Sequence, residues 1–318
     1  MKRHNTIPVS VASIKQECKD VKVFTLRPEK GSVLPPFGGG AHITTYIEKE
    51  EEVIARSYSL TNHADDREYR IAIRLNEHSR GGSACWHHHI KTGDRLRISF
   101  PKNYFPLSFR AKHHVLYAAG IGITPFLAMM KELAKKGSSF ELHYVSKARA
   151  SCPFYTYLKE NYPHQCSFYF SEEHKKLHVT SLLHHPIGTH VYFCGPQSFI
   201  EEFREAAKSY GYPSSSIHFE RFAAPEIKES HPFHVVLTSG KVVHVGKDQS
   251  LLDALLEEGI PAPYSCRMGR CGTCELKVIH GRVEHYDSFL SVEEKKSHGL
   301  ILPCVSRAGS KGLLLDIE

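Results

Sequence analysis

Apolar and polar residues alternate in short runs through the first third of the chain, up to about residue 108. Turn-forming residues separate these runs, and segment 35–40 reads Pro-Pro-Phe-Gly-Gly-Gly. Short strands at this spacing are typical of an antiparallel barrel, because alternate side chains then share one interior. The predicted strands are 21–26, 41–47, 54–60, 69–75 and 95–100, and we assign residues 1–108 to this barrel domain.

The pattern changes after residue 108, where apolar strands alternate with helical stretches until residue 224. This alternation predicts an α/β domain, a parallel sheet with helices on both faces. The predicted strands are 114–118, 141–146, 167–170 and 190–193, and the predicted helices are 125–136, 153–161 and 197–210.

Residues 225–232 carry charges and two prolines but few apolar side chains, so they are predicted to form a linker. Beyond them, residues 233–318 predict a small α+β domain. Its first strands are 233–238 and 241–245, and a helix over 250–258 is capped by Gly259.

The cysteines of this last domain carry the strongest chemical signal. Cys266, Cys271 and Cys274 follow a C-x4-C-x2-C pattern with Cys304 further on, which is the plant-type [2Fe–2S] spacing. Gly269 and Gly272 would let the loop close around the cluster.

The other interpretations of these cysteines are weaker. Nine cysteines in 318 residues are too few and odd in number for a disulfide framework, and zinc sites more often have paired CxxC motifs. The other five are scattered, which is typical of a reducing compartment: Cys18, Cys85, Cys152, Cys166 and Cys194.

Composition and charge narrow the functional class. Hydrophobic residues make up 41% of the chain, no apolar run reaches membrane-spanning length, and no signal-peptide pattern follows the first residues, so we expect a cytoplasmic protein. Residues 1–227 carry a net charge of +8, but no basic patch interleaved with aromatics indicates nucleic-acid binding. Phosphate-bearing cofactors explain the charge better. The 23 histidines are dispersed, and His87, His88 and His89 favour a solvated helix face over a metal site.

The barrel segment contains two motifs of interest, and the second of them could hold a phosphate. Arg56-Ser57-Tyr58-Ser59-Leu60 ends a predicted strand, and Ser79-Arg80-Gly81-Gly82-Ser83 opens a predicted helix. In the second motif, two glycines expose backbone N–H groups, Ser83 can cap a helix and Arg80 supplies charge. Taken alone, the second motif is more typical of a flexible turn that caps a helix, and Arg56 with Tyr58 alone is more typical of an exposed strand end.

Two further motifs follow strands of the predicted parallel sheet. In segment 118–125, Gly120 and Gly122 would let a pyrophosphate approach the backbone, and Pro125 suits the first helical turn. Cys194-Gly195-Pro196 ends a later strand and would lie at the same carboxyl edge. A tight strand–helix turn and a buried core thiol remain alternative interpretations.

Six motifs in this order resemble the phthalate dioxygenase reductase family, which includes the reductases of vanillate demethylase and carnitine monooxygenase. They are RSYSL at 56–60, SRGGS at 79–83, AGIGITPF at 119–126, CGP at 194–196, HFERF at 218–222 and the cysteine motif at 266–274. The tail LPCVSRA at 302–308 adds to them, and the resemblance covers nearly the whole chain.

The resemblance implies a role for each matching residue. Arg56, Ser57, Tyr58 and Ser59 would line the flavin ring, with Arg56 stabilising negative charge and Ser59 bonding near flavin N5. The FMN phosphate would be held by Arg80, Gly81, Gly82 and Ser83, and backbone contacts with the flavin would come from Ile73, Arg74 and Leu75. The pyridine nucleotide would face Gly120, Thr124 and Pro125, with its nicotinamide near Cys194, Gly195 and Pro196. Phe222 would lie near the flavin.

The resemblance also implies the activity. An NADH-dependent reductase would take a hydride onto FMN and pass single electrons through the [2Fe–2S] cluster to a Rieske-type non-haem iron oxygenase. We expect the chain to be a monomer and its contact with the oxygenase to be brief and partly electrostatic. Where the family often has an acidic residue, this chain has Arg267, and with Arg270 it would favour the reduced cluster. Ala119 also replaces a usual glycine.

Other functions stay open. The electron acceptor could be a different one, such as a dehydrogenase subunit or a haem monooxygenase, and a redox sensor would oxidise NADH slowly or not at all. The coenzyme is open as well. Lys147 and Arg149 follow strand 141–146, where basic residues could receive the 2′-phosphate of NADPH.

Overall fold

A computed structural model describes residues 6–49, 52–63, 66–76, 81–225, 227, 229–309 and 312–317. The chain divides into two compact units, Met1–Glu220 and Arg221–Glu318. The first unit contains two sheets, and the second unit contains a third sheet with a small two-stranded ribbon.

The first sheet is an antiparallel barrel. Its strands are β1 (Thr6–Cys18), β2 (Val21–Pro28), β3 (His42–Lys49), β4 (Glu52–Ser59), β5 (Tyr69–Arg74) and β6 (Arg95–Ser99). They are ordered β4-β3-β6-β1-β2-β5, and a bridge between Leu60 and Ile71 joins the two ends. Alternate residues of each strand fill one interior, and helix α1 (Gly82–His88) adds the fully buried Trp86 to it.

The second sheet is parallel throughout. It contains β7 (His113–Ala119), β8 (Phe140–Ser146), β9 (Cys166–Phe170), β10 (Thr189–Cys194) and β11 (Ile217–Glu220), in the order β11-β10-β7-β8-β9. Helices α2 (Thr124–Lys135) and α3 (Tyr155–Asn161) pack on one face, and α4 (Gln197–Ser209) packs on the other. Because the strand order reverses beside β7, the carboxyl ends of β7 and β10 form the crevice where such sheets bind ligands.

The second unit is a mixed sheet with two short helices. The main sheet contains β12 (Phe233–Leu237), β13 (Val242–Val245), β14 (Leu276–His280), β16 (Leu300–Ile301) and β18 (Gly312–Leu315), while β15 (Val283–Glu284) pairs with β17 (Arg307–Ala308). Helix α5 (Leu251–Glu257) buries its apolar face against this sheet and is capped by the Ser250 hydroxyl, and α6 (Val292–Ser297) follows β15.

These sheets confirm the predicted fold class, and the predicted strands and helices match observed ones within a few residues. Strands β1 and β11 and the strands after residue 275 were not predicted from the sequence. The predicted domain boundaries at residues 108, 224 and 232 stay predictions. Among the described residues, no helix is long and apolar enough to cross a membrane.

Candidate functional site

Arg56 and the glycine motif are brought together at one end of the barrel. Arg56 lies on β4, and Gly82 begins α1. A Cβ built on Gly82 would lie 2.7 Å from Arg56 Nε and 2.8 Å from Arg56 Cγ. The guanidinium therefore lies directly over the backbone of this turn, which places a positive charge beside a glycine turn and fits a bound phosphate.

The rest of the glycine motif differs from the prediction in one respect. Gly81 is the residue before α1 and has a φ of 82°, and no side chain caps this helix. Ser83 was expected to be able to cap it, but its Oγ instead accepts a hydrogen bond from the Asn76 N–H at 3.1 Å. Arg80 lies outside the described residues.

The other residues of the β4 motif alternate along the strand. Ser57 Oγ lies 3.1 Å from Thr44 Oγ1 on β3, and Ser59 is buried. Tyr58 packs edge-on against Trp86, with ring centroids 6.0 Å apart. Burial raises the pKa of Tyr58, so its phenol stays protonated and can act as a donor.

Strand β5 of the barrel ends close to the turn that follows β7. Ile73 is buried and its carbonyl lies 2.8 Å from His87 Nε2, while Leu75 N–H donates to the Asp20 carbonyl. Arg74 pairs with Asp20, and its Nη1 is 3.7 Å from the position a Cβ on Gly120 would take. Arg74 therefore links the barrel to the turn after β7.

The turns after β7 and β10 contact each other closely. A Cβ on Gly122 would lie 2.2 Å from the Cys194 carbonyl oxygen and 2.8 Å from Gly195 N, so this position accepts no side chain. Gly120 has a φ of 56°. Both predicted nucleotide motifs thus meet at the carboxyl edge of the sheet, as the sequence analysis expected.

The side chains of these turns are mostly buried. Thr124 donates its hydroxyl to the Ile121 carbonyl at 3.0 Å, and Pro125 lies in the first turn of α2. Cys194 is fully buried at the end of β10, and Pro196 precedes α4. These four residues hold the shape of the crevice, so a role in nucleotide binding would act mainly through the backbone.

Phe222 belongs to the second unit, where its side chain is exposed. Its proposed place near the flavin stays a prediction. Of the three histidines in segment 87–89, His87 is buried and bonds to Ile73, while His88 and His89 are exposed at the end of α1.

The four predicted metal ligands come together in the second unit. Cys274 Sγ lies 3.4 Å from Cys304 Sγ, and Cys266 hydrogen-bonds to Cys271. Within the pairs, these hydrogen bonds lower the pKa of Cys271 and the pKa of Cys274. Two pairs of thiols fit two irons that each need two thiolates, so the donor set suits a [2Fe–2S] cluster.

The charge of Arg267 is less free than the sequence suggested. Its φ is 55°, its Nη1 pairs with Asp253 Oδ1 at 2.8 Å, and its guanidinium lies 4.4 Å from the centre of the Tyr264 ring. The expected positive charge beside the cluster is therefore partly neutralised by a carboxylate of α5.

Comparison with known proteins gives a consistent family. Residues 235–309 match the 2Fe-2S iron-sulfur cluster binding domain, and residues 100–217 match the N-terminal domain of dimethylamine monooxygenase subunit DmmA-like proteins. The heme-dependent oxidative N-demethylase beta subunit of Ectopseudomonas mendocina is 41% identical, covering 98% of this chain and 99% of its own. The carnitine monooxygenase reductase subunit of Escherichia coli is 38% identical over the full length of both chains.

A solved structure decides the assignment. The solved structure of phthalate dioxygenase reductase, described as a modular structure for electron transfer from pyridine nucleotides to [2Fe-2S], aligns with a TM-score of 0.78 at 32% identity, and the alignment covers 98% of both chains. This chain belongs to the phthalate dioxygenase reductase family. The resemblance that the six sequence motifs indicated is thereby confirmed.

In this member of the phthalate dioxygenase reductase family, a buried carboxylate supports the cysteine loop. Asp287 accepts hydrogen bonds from the N–H groups of Phe289 and Leu290, and the Ser288 N–H bonds to the Gly269 carbonyl. Lys295 Nζ lies 3.4 Å from Asp287 Oδ2. Asp287 was not predicted from the sequence, because no short motif relates it to the cysteine loop that it supports.

Replacing Asp287 should destabilise the second unit. Burial alone acts to raise the pKa of Asp287, but the hydrogen bond from Leu290 and the charge of Lys295 outweigh it and lower the pKa. We expect Asp287→Ala to reduce the free energy of unfolding by about 2–4 kcal/mol at pH 7. A carboxyl group whose pKa is lower in the folded than in the unfolded protein stabilises the folded state at pH values above its unfolded pKa, about 3.9 for Asp. The difference in the free energy of unfolding between wild type and variant should therefore shrink below that pH.

Urea unfolding of both proteins between pH 7 and pH 3 measures this difference. Asp316→Ala is the control, because it removes an exposed pair with Lys277 at 3.2 Å, which is worth at most about 1 kcal/mol. Equal destabilisation by the two variants at pH 7 would contradict the role of Asp287.

Proposed function

We propose that this protein is an NADH-dependent reductase that supplies an oxygenase with single electrons through FMN and a [2Fe–2S] cluster. The observation that carries the proposal is the meeting of four thiols in two pairs, within a segment that matches the 2Fe-2S domain family. FMN accepts the hydride pair and the cluster carries one electron at a time, while the protein positions both.

The residues of the first unit have the following proposed tasks. Arg56 and the Gly81–Gly82 turn hold the FMN phosphate or a negative charge on the flavin, since the guanidinium lies over that turn. Tyr58 borders the flavin and Ser59 bonds near its N5. The crevice formed by Gly120, Gly122 and Cys194 receives the pyridine nucleotide.

The coenzyme proposal rests on two ion pairs after β8, where the ribose of a nucleotide would lie. Arg149 forms a bidentate ion pair with Glu173, with Nε 2.7 Å from Oε1 and Nη2 3.1 Å from Oε2. Lys147 Nζ lies 3.9 Å from Glu172 Oε1. Both basic residues that could receive a 2′-phosphate already face carboxylates, which would also repel it. This arrangement favours NADH over NADPH.

Removing one of these carboxylates should improve the use of NADPH. We expect Glu173→Ala to raise kcat/KM for NADPH about 3–10-fold and to change that for NADH less, because Arg149 is released for the phosphate. The measurement is kcat/KM for both coenzymes, with Glu202→Ala on α4 as the control. A wild-type protein that prefers NADPH, or no gain in Glu173→Ala, would contradict the proposal.

The proposed partner is an oxygenase. The motif resemblance favours a Rieske-type non-haem iron oxygenase. A haem enzyme is a second candidate, because a relative with 41% identity is named a subunit of a heme-dependent oxidative N-demethylase. Anaerobic stopped-flow rates of electron delivery to one oxygenase of each kind distinguish them. We propose brief, partly electrostatic docking, so the rate should fall as ionic strength rises.

The remaining proposals concern the chain in the cell. We propose a cytoplasmic protein that is monomeric by itself. Size-exclusion chromatography with light scattering checks the second point, and a mass near 36.0 kDa is expected.

The anaerobic visible spectrum tests the proposed function as a whole. The purified protein should show flavin and cluster bands, and both should bleach within seconds of adding NADH. Bleaching of the flavin alone would contradict electron transfer to the cluster. If neither band responds to NADH or NADPH, the reductase proposal fails and the redox-sensor alternative gains support.

A further inference from the structure

Four side chains converge at the amino-terminal ends of the parallel strands, away from the proposed cofactor crevice. Glu141 Oε1 lies 2.8 Å from His185 Nδ1, 3.5 Å from His113 Nε2 and 3.8 Å from His143 Nε2. We call these four residues the histidine–glutamate cluster. Its three imidazoles are mostly buried, whereas Glu141 is about one-third exposed, which leaves a path from solvent.

The fold creates this cluster from distant parts of the sequence. His113 begins β7, and Glu141 and His143 alternate on β8, so their side chains share one face of the sheet. His185 lies in the segment before β10. Tyr117 stacks on His143 on the same face, at 4.8 Å between ring centroids and 11° between ring planes. No sequence spacing predicts the group, because its members are up to 72 positions apart.

Each imidazole has an inner nitrogen, which faces Glu141, and an outer nitrogen, which faces away from it. A hydroxyl group lies within hydrogen-bond distance of each outer nitrogen. Ser139 Oγ lies 2.8 Å from His113 Nδ1, Tyr169 OH lies 2.9 Å from His143 Nδ1, and Tyr117 OH lies 2.9 Å from His185 Nε2. When these outer nitrogens carry the protons, the inner nitrogens present lone pairs toward Glu141. Such outer partners are the usual way in which proteins orient histidines that bind a metal.

The inner nitrogens of all three imidazoles face the same carboxylate, that of Glu141. His143 Nε2 is buried and has no hydrogen-bond partner among the described residues. One carboxylate oxygen faces three imidazole nitrogens, and a cation between them would satisfy all four atoms.

We propose that the histidine–glutamate cluster binds Zn²⁺ through His113 Nε2, His143 Nε2, His185 Nδ1 and Glu141 Oε1. Imidazole nitrogen and carboxylate oxygen are common zinc ligands, and Mg²⁺ or Ca²⁺ would prefer oxygen alone. Two ligands that are each about 2.1 Å from a tetrahedral ion are about 3.4 Å apart. The separations from Glu141, 2.8–3.8 Å, bracket that value. The ligand atoms of His113, Glu141 and His185 all lie within 4.8 Å of one another, whereas His143 Nε2 lies outside this group of three and would move toward the ion to complete the set.

This zinc ion would have a structural role. Four protein ligands complete a tetrahedral site and leave no open position for a substrate. The ion would join β7, β8 and the segment before β10. The Gly120 turn lies at the other end of β7, about 20 Å away for a seven-residue strand, so the site is separate from the proposed cofactor crevice.

The test uses the full-length protein with its iron-sulfur cluster intact, verified by iron analysis. After treatment with a chelator, zinc is titrated in competition with a chromophoric chelator. We expect about one zinc per chain, a Kd below about 1 µM, a rise in Tm with zinc, and X-ray absorption from nitrogen and oxygen ligands only.

Variants locate the site. His185→Ala should weaken zinc binding at least about 100-fold, since even outer partners of metal ligands can cost 10–100-fold. The matched control is His184→Ala, which removes an exposed neighbouring histidine and should bind zinc like the wild type. Glu141→Gln, which keeps the side-chain shape, should also weaken binding and serves if His185→Ala does not fold.

Three outcomes would overturn the proposal. The first is a wild-type Kd above about 100 µM, which no structural zinc site would have. The second is equal zinc binding in Glu141→Gln and His184→Ala. The third is sulfur scattering at the zinc edge, which would show that the metal occupies the cysteine loop instead.

Discussion

Cys304→Ala is expected to abolish electron delivery to the oxygenase while the reaction of NADH with the flavin continues. In the structure Cys304 Sγ lies 3.4 Å from Cys274 Sγ, so the change removes one ligand and leaves Cys274 without its partner. Loss of a residue that only hydrogen-bonds to a metal ligand lowers metal affinity or activity about 10–100-fold. Loss of a ligand itself should therefore reduce the rate of electron delivery by more than about 100-fold. NADH-dependent reduction of ferricyanide, a small acceptor, should fall less than about two-fold.

Two other cysteine variants make the experiment specific. Cys18→Ala removes a cysteine of the first unit and should leave iron content and electron delivery unchanged. Cys304 is buried and its loss could disturb packing, so Cys271→Ala is needed as well, because this ligand is only half-buried. Two irons per chain and undiminished delivery in either ligand variant would contradict the cluster assignment.

The sequence predicted the cluster site more securely than any other part, and the reason is local. Three of the four cysteines lie within nine residues, and ligand spacing in such a loop is constrained by the metal itself. The fourth, Cys304, was assigned as the one distant cysteine of the plant-type pattern, and the tail motif that contains it also resembles a known family. In the structure the four thiols form two pairs, Cys274 with Cys304 and Cys266 with Cys271.

Contacts between distant segments could not be predicted in this way. The sequence showed Arg56 and Gly82 as members of two motifs 26 positions apart, but not that the guanidinium lies on the glycine backbone. Asp287 and the histidine–glutamate cluster gave no signal at all, because packing of separate strands and loops assembles them. Such sites have no fixed spacing, so a single sequence does not reveal them.

Strands, too, were predicted where the pattern is local and missed where packing determines them. Strong alternation identified β2–β6. Strand β1 was missed although it is the longest described strand, because its second half has the polar run Lys15-Gln16-Glu17 and only Ile14 continues the apolar alternation. That half is partly exposed, so packing against β2 rather than its own pattern keeps it extended. The charge on Arg267 was visible in the sequence, but its neutralisation by Asp253 on α5 was not.

Arg56→Ala is expected to weaken the binding of FMN and slow its reduction by NADH. The guanidinium lies over the Gly82 turn and is proposed to face a negative charge of the flavin. A hydrogen bond to a charged group contributes about 1.5–3 kcal/mol, so Kd for FMN should rise about 10–100-fold. At saturating FMN, the reduction rate should still fall at least about 10-fold if Arg56 stabilises charge that develops during hydride transfer.

The measurements are FMN titration by fluorescence quenching and anaerobic stopped-flow reduction at saturating FMN. Arg67→Ala is the control, because it removes an exposed arginine of the same barrel unit. Arg56→Lys should recover part of the affinity, since it keeps the charge but loses the planar fork.

Gly82→Ala tests the same contact from the other side, because its Cβ would displace the Arg56 side chain. Full FMN occupancy and an unchanged rate in Arg56→Ala would remove Arg56 from the proposed site. If Gly82→Ala alone were impaired, the glycine backbone rather than the arginine would be what holds the phosphate.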